Sequence, residues 1–341
     1  MKLKIFSKIG LAAVLAVATT MSVGLAQAEP DKIKYGALRV AHAIYIAMEK
    51  GYFAKRNIEV EPVYFRSGAA LVPSLSTGQI DVGANAAGAA LYNALASGVK
   101  AKLVAEYVVL VPGNRLNAIV VRKDLADSGK VKKAADLKGM RFAITARGQA
   151  THYFAGKFME TAGLTDKDVT LVTMSYPDML AAFKGGAIDA ASFVDPFTTI
   201  AESRGMVKTM VHLSEILPNF NLGVIMFGDR LMKKNRDLGM RFLAAYYEGN
   251  TKLLELLKTP EGVKEVAEIY SKYLPLNSKG VYERAGLAVA RKSLVVDIGG
   301  EFGLQAQMDW YNSRGLIPKL PKLSDVIDNE FAVAAEKESS N

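Results

Sequence analysis

Two hydrophobic periods alternate along the chain, and their order predicts the fold. Residues 32–40 have the apolar pattern of a strand, whereas residues 43–51 place apolar side chains at helical spacing. The first unit continues in the same way, with predicted strands at 32–40, 57–65, 81–85 and 102–110, predicted helices at 43–51 and 69–77, and a small-residue helix after residue 88. Strands that alternate with helices in this order predict a parallel, doubly wound α/β sheet.

A second unit repeats this plan. Its predicted strands cover 140–145, 169–174 and 190–194, and its predicted helices cover 151–162 and 177–183. Both units also contain the motif glycine, any residue, isoleucine and aspartate before a short strand, at 78–81 and 186–189. The repeat predicts two doubly wound lobes.

Two similar apolar segments, 116–125 and 221–231, each end in a charged turn. We interpret them as crossing strands at a hinge, which makes the second lobe an insertion in the first. The predicted domains are a signal peptide at 1–28, lobe 1 at 29–116 and 226–341, and lobe 2 at 117–225. Helical spacing predicts that lobe 1 is completed by helices at 238–257, 260–273, 287–294, 304–311 and 323–335, before a frayed end at 336–341.

The first 28 residues have the pattern of a secretory signal peptide. Three lysines precede an apolar run at 9–25, and Ala26-Gln27-Ala28 has the small-residue pattern of a cleavage site. A retained membrane anchor, the alternative, needs roughly 20 strongly apolar residues, and this run is shorter and interrupted by polar residues. Cleavage lowers the formal charge from +9 to +6, because the segment carries three lysines and no acidic residue.

The remaining charge is diffuse. It suits attraction of anionic solutes but forms no basic arm of the kind that binds nucleic acid. The sequence contains no cysteine, so it has no disulfide, no thiol nucleophile and no lipid attachment site. We therefore expect a free protein in a Gram-negative periplasm.

A glycine turn joins the predicted strand at 140–145 to a helix that begins near Gln149. The first N–H groups of such a helix are unpaired and lie at the positive end of its dipole, so the turn is a candidate anion site. The candidate ligand-binding residues there are Arg147, Gly148, Gln149, Thr151 and His152. The alternative is a solvated Arg147 and a Thr151 that only caps the helix.

Doubly wound sheets bind ligands beyond the carboxyl ends of their strands. In the first unit these ends supply the candidates Arg39, His42, Ser67, Gly68, Asn85, Ala86 and Tyr107. In the second unit Asp195 and Phe197 follow the strand at 190–194, where they offer an acceptor and an apolar wall. The alternative for Asp195 is a cap on the next helix.

Catalytic signatures do not stand out. The three histidines show no metal-ligand spacing, and no nucleophile elbow, P-loop or dinucleotide fingerprint occurs. We predict a binding protein with no catalytic residue, no metal and no cofactor. An enzyme is the competing hypothesis, and it predicts turnover of a small molecule by the purified protein.

Motifs spread over about residues 32–335 together resemble one family. They include Glu49-Lys50-Gly51-Tyr52-Phe53, Gly78-x-Ile80-Asp81-Val82-Gly83, Asp136-Leu137-Lys138-Gly139, Gly148-x-x-Thr151-His152, Gly186-x-Ile188-Asp189-Ala190 and Asp195-Pro196. The chain resembles the periplasmic solute-binding proteins of ABC importers, in the nitrate/sulfonate/taurine type that includes the thiamine-pyrimidine-synthase-like proteins. The pyrimidine-synthase enzymes of that superfamily depend on a cysteine-rich motif, which this sequence lacks.

The resemblance implies the type II periplasmic binding protein fold, a two-lobed clamp that closes on a ligand and docks on a membrane permease driven by a cytoplasmic ATPase. The Thr151-His152 pair looks most like the taurine and alkanesulfonate branch. We therefore expect capture of a small organic anion, a sulfonate or carboxylate, with a taurine-like solute favoured. Nitrate, a neutral pyrimidine or other heterocycle, and a role as a ligand sensor are the alternatives. A monomer is expected.

Overall fold

Two five-stranded sheets form the framework of the molecule. A computed structural model describes residues 29–65, 68–274 and 279–339; the predicted signal peptide and Ser67 lie outside these ranges. The strands are β1 Asp31–Ala37, β2 Ile58–Tyr64, β3 Val82–Ala86, β4 Ala101–Leu110, β5 Asn117–Arg122, β6 Arg141–Ile144, β7 Thr170–Thr173, β8 Ala190–Val194, β9 Val207–His212 and β10 Phe220–Gly228. Their orders, β2-β1-β3-β10-β4 and β7-β6-β8-β5-β9, follow the same plan in both sheets.

Helices pack around both sheets. They are α1 Ala43–Glu49, α2 Leu71–Ser76, α3 Ala89–Ala96, α4 Lys123–Asp127, α5 Ala150–Glu160, α6 Tyr176–Lys184, α7 Phe197–Ser203, α8 Leu213–Ile216, α9 Arg236–Leu256, α10 Pro260–Tyr273, α11 Lys279–Tyr282, α12 Leu304–Ser313, α13 Leu323–Val326 and α14 Glu330–Glu338. Within the described ranges, no helix is both long enough and apolar enough to cross a membrane.

One strand in each sheet runs against its neighbours, and it is the strand that follows a crossing. β5 is antiparallel to β8 and β9, and β10 is antiparallel to β3 and β4. All of β10 pairs in the first sheet, so the predicted boundary at residue 225 falls inside a strand of lobe 1 and is too late. We propose lobe limits of 29–116 with 218–339 for lobe 1, and 117–217 for lobe 2.

The repeated Gly-x-Ile-Asp motif has the same structural task in both lobes. The N–H of Asp81 donates to the Lys34 carbonyl, and a carboxylate oxygen of Asp81 accepts from the Lys34 N–H and from Arg230. In lobe 2 the Asp189 backbone and carboxylate make the same two bonds with Arg141, and the carboxylate also accepts from Arg122. The motif therefore fastens the start of β3 to β1 and the start of β8 to β6, away from the carboxyl ends of these strands.

Two expectations about the chain after the second sheet were wrong. Residues 287–294 form no helix. They run as an extended segment along β4, where the Val109 N–H donates to the Val289 carbonyl. Four consecutive buried residues, 287–290, show that this apolar run is covered on all sides, which helical spacing alone does not reveal. The predicted helix at 323–335 divides into α13 and α14, and α14 continues to Glu338 beyond the expected frayed start at 336.

The segment between β8 and the second crossing was not predicted in detail. It forms α7, β9 and α8, which complete the second sheet and cover its end. A separate apolar cluster that includes Phe183, Phe193 and Met179 lies on one face of this sheet. The other face joins a continuous core that reaches lobe 1.

Candidate functional site

A cavity of about 120 Å³ lies between the carboxyl-end edges of the two sheets. Both lobes contribute to it in similar measure, as expected for a ligand site in a doubly wound clamp. Lobe 1 supplies Leu38, Val40, Ala84, Asn85, Ala86, Tyr107, Val108 and Leu222, and lobe 2, with the crossing before it, supplies Leu116, Asn117, Ala150, Thr151, Phe154, Tyr176 and Val194.

The described lining is mainly apolar and carries no charged side chain. Its polar groups are the amides of Asn85 and Asn117, the hydroxyl of Thr151 and the phenols of Tyr107 and Tyr176. Burial raises the pKa of both phenols, so they stay protonated at neutral pH. The lining therefore offers neutral hydrogen-bonding groups around apolar walls.

The predicted glycine turn lies at this cavity. Its backbone joins the two lobes, and the helix that follows it lines the cavity. Gly148 has φ +77°, a left-handed conformation that favours glycine. Its carbonyl accepts from the Ala89 N–H at the start of α3, which joins lobe 2 to lobe 1 beside the cavity. Ala150 and Thr151, the first residues of α5, line the cavity. The Thr151 hydroxyl accepts from the Thr145 N–H and so holds the turn closed.

Neither candidate histidine is among the residues that line the cavity. His152 Nδ1 accepts from the Gly148 N–H, and its Nε2 lies 3.2 Å from Asp166, under the indole of Trp310. Burial lowers the pKa of His152, and Asp166 only partly offsets this. His42 caps α1 by accepting from the Ile44 N–H, and burial lowers its pKa to about 3. Each imidazole thus supports a turn as a neutral group.

The two candidate arginines lie outside the cavity lining. Arg39 is exposed, and its guanidinium stacks over the ring of Tyr64 at 4.1 Å. Arg147 keeps 58 % of its side chain exposed and lies 3.9 Å from Asp166. The exposure of Arg147 supports the alternative that its guanidinium is solvated. Neither arginine places a positive charge in the described lining.

Asp195 caps the next helix, in agreement with the second of the two alternatives. Its carboxylate accepts from the N–H and hydroxyl of Thr199, at 2.9 Å each, and from the Gly286 N–H. Burial raises the pKa of this carboxyl group. The bond to Gly286 ties the end of β8 to the extended segment that runs along β4. Phe197 opens α7 and stacks on Tyr176 behind the cavity lining.

Sequence reasoning and structure agree on part of the lining. Of the fourteen candidates, the structure places Asn85, Ala86, Tyr107 and Thr151 in it. Gly68 lies against Asn85, where a Cβ would come within 2.2 Å of the amide, and Gln149 lies close to Gly88. Ligand contact by these residues stays a prediction. Asn117, Phe154 and Tyr176 were missed, although Asn117 could have been found as the first polar residue after the first crossing.

Metal ligation has no support in the described ranges, since no group of three or more His, Asp or Glu side chains there could hold an ion. The fold and the cavity thus point to a clamp for a small solute.

Comparison with known proteins settles the family. The sequence profile of the NMT1-like family matches residues 26–271. The chain belongs to this family. A putative aliphatic sulfonates-binding protein from Bacillus subtilis is 25 % identical over 320 residues, which span 91 % of this chain and 90 % of that protein.

Solved structures confirm the predicted type II periplasmic binding protein fold. The periplasmic nitrate-binding protein NrtA from Synechocystis superposes with a TM-score of 0.72 over 91 % of this chain and 89 % of that chain, at 15 % identity. The desulfurization enzyme DSZB superposes with a TM-score of 0.65 over 91 % of this chain and 99 % of that chain, at 16 % identity. Proteins of different function therefore share this fold, so the function of this chain has to be inferred from the residues of its site.

Proposed function

We propose that this protein is the solute-binding component of an ABC importer and that it holds a small organic anion between its lobes. The observation that carries the proposal is the cavity, because strand ends of both sheets line it and a solute there contacts both lobes. The similarity to a sulfonate-binding relative over nine-tenths of both chains supports the same assignment.

The lining favours a ligand with a small polar head and a short apolar body. The first turn of α5, at Ala150 and Thr151, offers unpaired N–H groups and the positive end of the helix dipole to an anionic head. Leu38, Leu222 and Phe154 form apolar walls that stabilise a hydrocarbon body by burying it. An alkanesulfonate or a short aliphatic carboxylate has both parts.

Two of the earlier candidates fit this lining less well. Nitrate has no apolar surface to bury. Taurine carries an ammonium group, which needs a paired charge when it leaves water, and no carboxylate is among the described lining residues. We therefore favour a sulfonate or carboxylate with an uncharged body over taurine.

Closure follows from contact with both lobes. The Ala89 N–H donates to the Gly148 carbonyl next to the cavity, so the lobes already meet there. A solute that contacts lobe 1 and lobe 2 together favours the closed state by its difference in affinity for the two states. The closed form would then be the one that a membrane permease with a cytoplasmic ATPase recognises.

The remaining assignments complete the proposal. A cleaved signal peptide would release the protein into the periplasm as a monomer that presents both lobes to the permease. We propose binding rather than catalysis, because the described lining holds no histidine or carboxylate and its one aliphatic hydroxyl, Thr151, is bonded to Thr145.

A neutral heterocycle is the second candidate ligand, and a specific observation favours it. No charged side chain is present in the described lining, so a neutral solute would lose less hydration on entry than an anion. The same clamp would serve a ligand sensor.

A thermal-shift screen of residues 29–341 tests the proposal. Ethanesulfonate, propanoate, taurine, nitrate and a neutral pyrimidine are compared, since a ligand at 100 times its Kd stabilises the folded state by about 2.7 kcal/mol. We expect the largest rise in melting temperature with ethanesulfonate or propanoate. A rise with the pyrimidine alone would replace the anion by the neutral candidate, and release of product from any of them would favour an enzyme.

A further inference from the structure

One side chain of lobe 1 is inserted into the surface of lobe 2. Trp310 belongs to α12, and it is only 8 % exposed because its indole packs against one face of α5. Four residues of α5 surround the indole, and we call them the Trp310 socket: His152, Tyr153, Gly156 and Glu160. Three of them are four residues apart in sequence and therefore lie on the same side of the helix.

The contacts in the Trp310 socket are both aromatic and polar. The indole meets the rings of His152 and Tyr153 edge to face, with centroids 5.4 and 5.0 Å away. Its Nε1–H donates to Glu160 Oε1 at 2.8 Å, and the same oxygen accepts from Arg314. The guanidinium of Arg314 also stacks over the indole at 3.6 Å. A Cβ on the glycine of the socket would come within 2.2 Å of the indole, so the fit depends on that glycine.

The rest of α12 is held by lobe 1. The Tyr92 hydroxyl of α3 donates to the Leu304 carbonyl at the start of α12, at 3.2 Å. The Gln307 side chain donates to the Asn221 carbonyl in β10, at 2.6 Å. Lobe 1 therefore fixes the helix that carries the indole, whereas lobe 2 supplies the socket. A movement that separated the lobes here would withdraw the indole from the socket.

The Trp310 socket and the cavity share one helix. The first turn of α5 presents Ala150 and Thr151 to the cavity, and the following turns form the socket. His152 connects the two regions, because its ring contacts the indole while its Nδ1 accepts from the Gly148 N–H in the turn beside the cavity. The indole therefore packs against the residue that supports this turn.

We propose that Trp310 is a positioning residue for the ligand site, and that it fills its socket only when the lobes are closed. The inference rests on the proposed function, in which the solute binds the closed state. Trp310 is not among the residues that line the cavity, so it acts on the equilibrium between the states and not on the ligand. The apparent Kd rises as the closed fraction falls, and contacts that favour closure therefore increase the affinity.

Phe331 offers a matched control within lobe 1. It lies in α14 and is fully buried, and Arg236 stacks over its ring at 4.2 Å, as Arg314 does over Trp310. It also packs on a glycine, Gly239 of α9. Because its helix and its partners all belong to lobe 1, loss of this ring should lower stability without changing the contact between the lobes.

Titration calorimetry of residues 29–341 tests the inference. The probes are ethanesulfonate, propanoate and a neutral pyrimidine, and circular dichroism confirms that each variant is folded at the temperature of the titration. We expect Trp310→Leu to weaken every probe that the unchanged protein binds by roughly tenfold, because the closed state loses aromatic contacts and a hydrogen bond to a charged acceptor. Trp310→Phe keeps a ring in the socket and should lose about threefold, for the hydrogen bond alone. Phe331→Leu should stay within about twofold, because it favours neither state.

A second readout separates positioning from general stability. Trp310 is the only tryptophan in the sequence, so quenching of its emission by acrylamide reports whether the socket is filled. A saturating concentration of the tightest-binding probe should reduce the quenching in the unchanged protein and in Phe331→Leu alike.

The outcomes separate this inference from the proposed function. Equal affinities of Trp310→Leu and the unchanged protein, equal losses in Trp310→Leu and Phe331→Leu, or quenching that the bound probe does not reduce overturns the inference alone. Binding of the pyrimidine only, with the expected loss in Trp310→Leu, keeps the inference and overturns the anionic ligand. Binding of none of the probes overturns both.

Discussion

The two lobes contain the same sheet, yet the chain surrounds the two sheets differently. The aspartate of the Gly-x-Ile-Asp motif fastens β3 to β1 in lobe 1 and β8 to β6 in lobe 2. Its backbone carbonyl accepts from the last N–H of the antiparallel strand, that of Gly228 in lobe 1 and that of Arg122 in lobe 2. In lobe 1 the chain also covers β4, since the extended segment at 287–294 and residues 327–328 are hydrogen-bonded to this strand. The shared motif joins the strands in both sheets, whereas the later part of the chain covers the edge strand of lobe 1 and leaves lobe 2 as the smaller body.

The largest expected effect comes from removing the shared aspartate. Asp189→Ala should lower the free energy of unfolding by about 3 kcal/mol, because two arginines lose a partner that is 13 % exposed. Asp81→Ala removes one arginine contact and should cost about 2 kcal/mol. Urea unfolding followed by circular dichroism measures both.

The matched control uses the same arginine. Asp124 also pairs with Arg122 but is 65 % exposed, so Asp124→Ala should change the free energy of unfolding by less than about 0.5 kcal/mol. Equal losses for Asp124 and Asp189 would mean that the motif has no special structural task.

The helix that follows β1 in lobe 1 and the helix that follows β6 in lobe 2 can be compared in the same way. A later helix packs against each of them at a glycine, α9 against α1 at Gly249 and α12 against α5 at Gly156. A Cβ at Gly249 would lie 2.5 Å from that of Ala47 inside lobe 1, whereas a Cβ at Gly156 would lie 2.2 Å from the Trp310 indole. The first contact is internal to a lobe. The second joins lobe 2 to the end of the chain, where Trp310 and Arg314 both donate to Glu160.

Alanine at the two glycines should therefore have different consequences. Gly249→Ala should lower the free energy of unfolding by about 2 kcal/mol, because backbone atoms of α1 stand in the way. Gly156→Ala should instead displace the indole and shift its fluorescence to longer wavelength with a smaller loss of stability. Trp310 is the only tryptophan in the sequence, so its emission reports this contact directly. An unshifted emission in Gly156→Ala would show that the interlobe contact tolerates the added methyl group.

Sequence patterns predicted most of the fold, because the hydrophobic periodicity of most segments matches the helix or strand that each forms in the structure. α10 begins at a proline and ends at Tyr273, as the sequence signals predicted. The extended segment at 287–294 was mistaken for a helix because it is buried between β4 and Asn250 of α9. The periodicity of the segment itself does not show such long-range contacts. The resemblance to solute-binding proteins contributed the closure on a ligand, which periodicity does not supply.

The site was predicted less completely. The ends of the predicted strands show where the cleft lies, but they do not show which side chains point into it. Asn85, Tyr107 and Thr151 line the cavity, but His42 and His152 turn inward to support their own turns. The sequence shows that an imidazole stands at a strand end; it does not show which backbone N–H that imidazole accepts from. Asn117 was missed because the segment at 116–125 was interpreted only as a crossing strand, and its first polar residue was not considered as part of the site.

The smallest expected effect concerns the equivalent turns of the two lobes. Arg39 follows β1 and Arg147 follows β6, and both guanidinium groups are solvated outside the lining. Replacement of either by alanine should weaken the anion that gives the largest thermal shift by no more than about twofold, because exposed charges act through water and are screened. The effect should vanish at 0.5 M salt. A tenfold or larger loss for Arg147→Ala alone, persisting in salt, would mean that this guanidinium enters the cavity on binding and that the two turns are not equivalent.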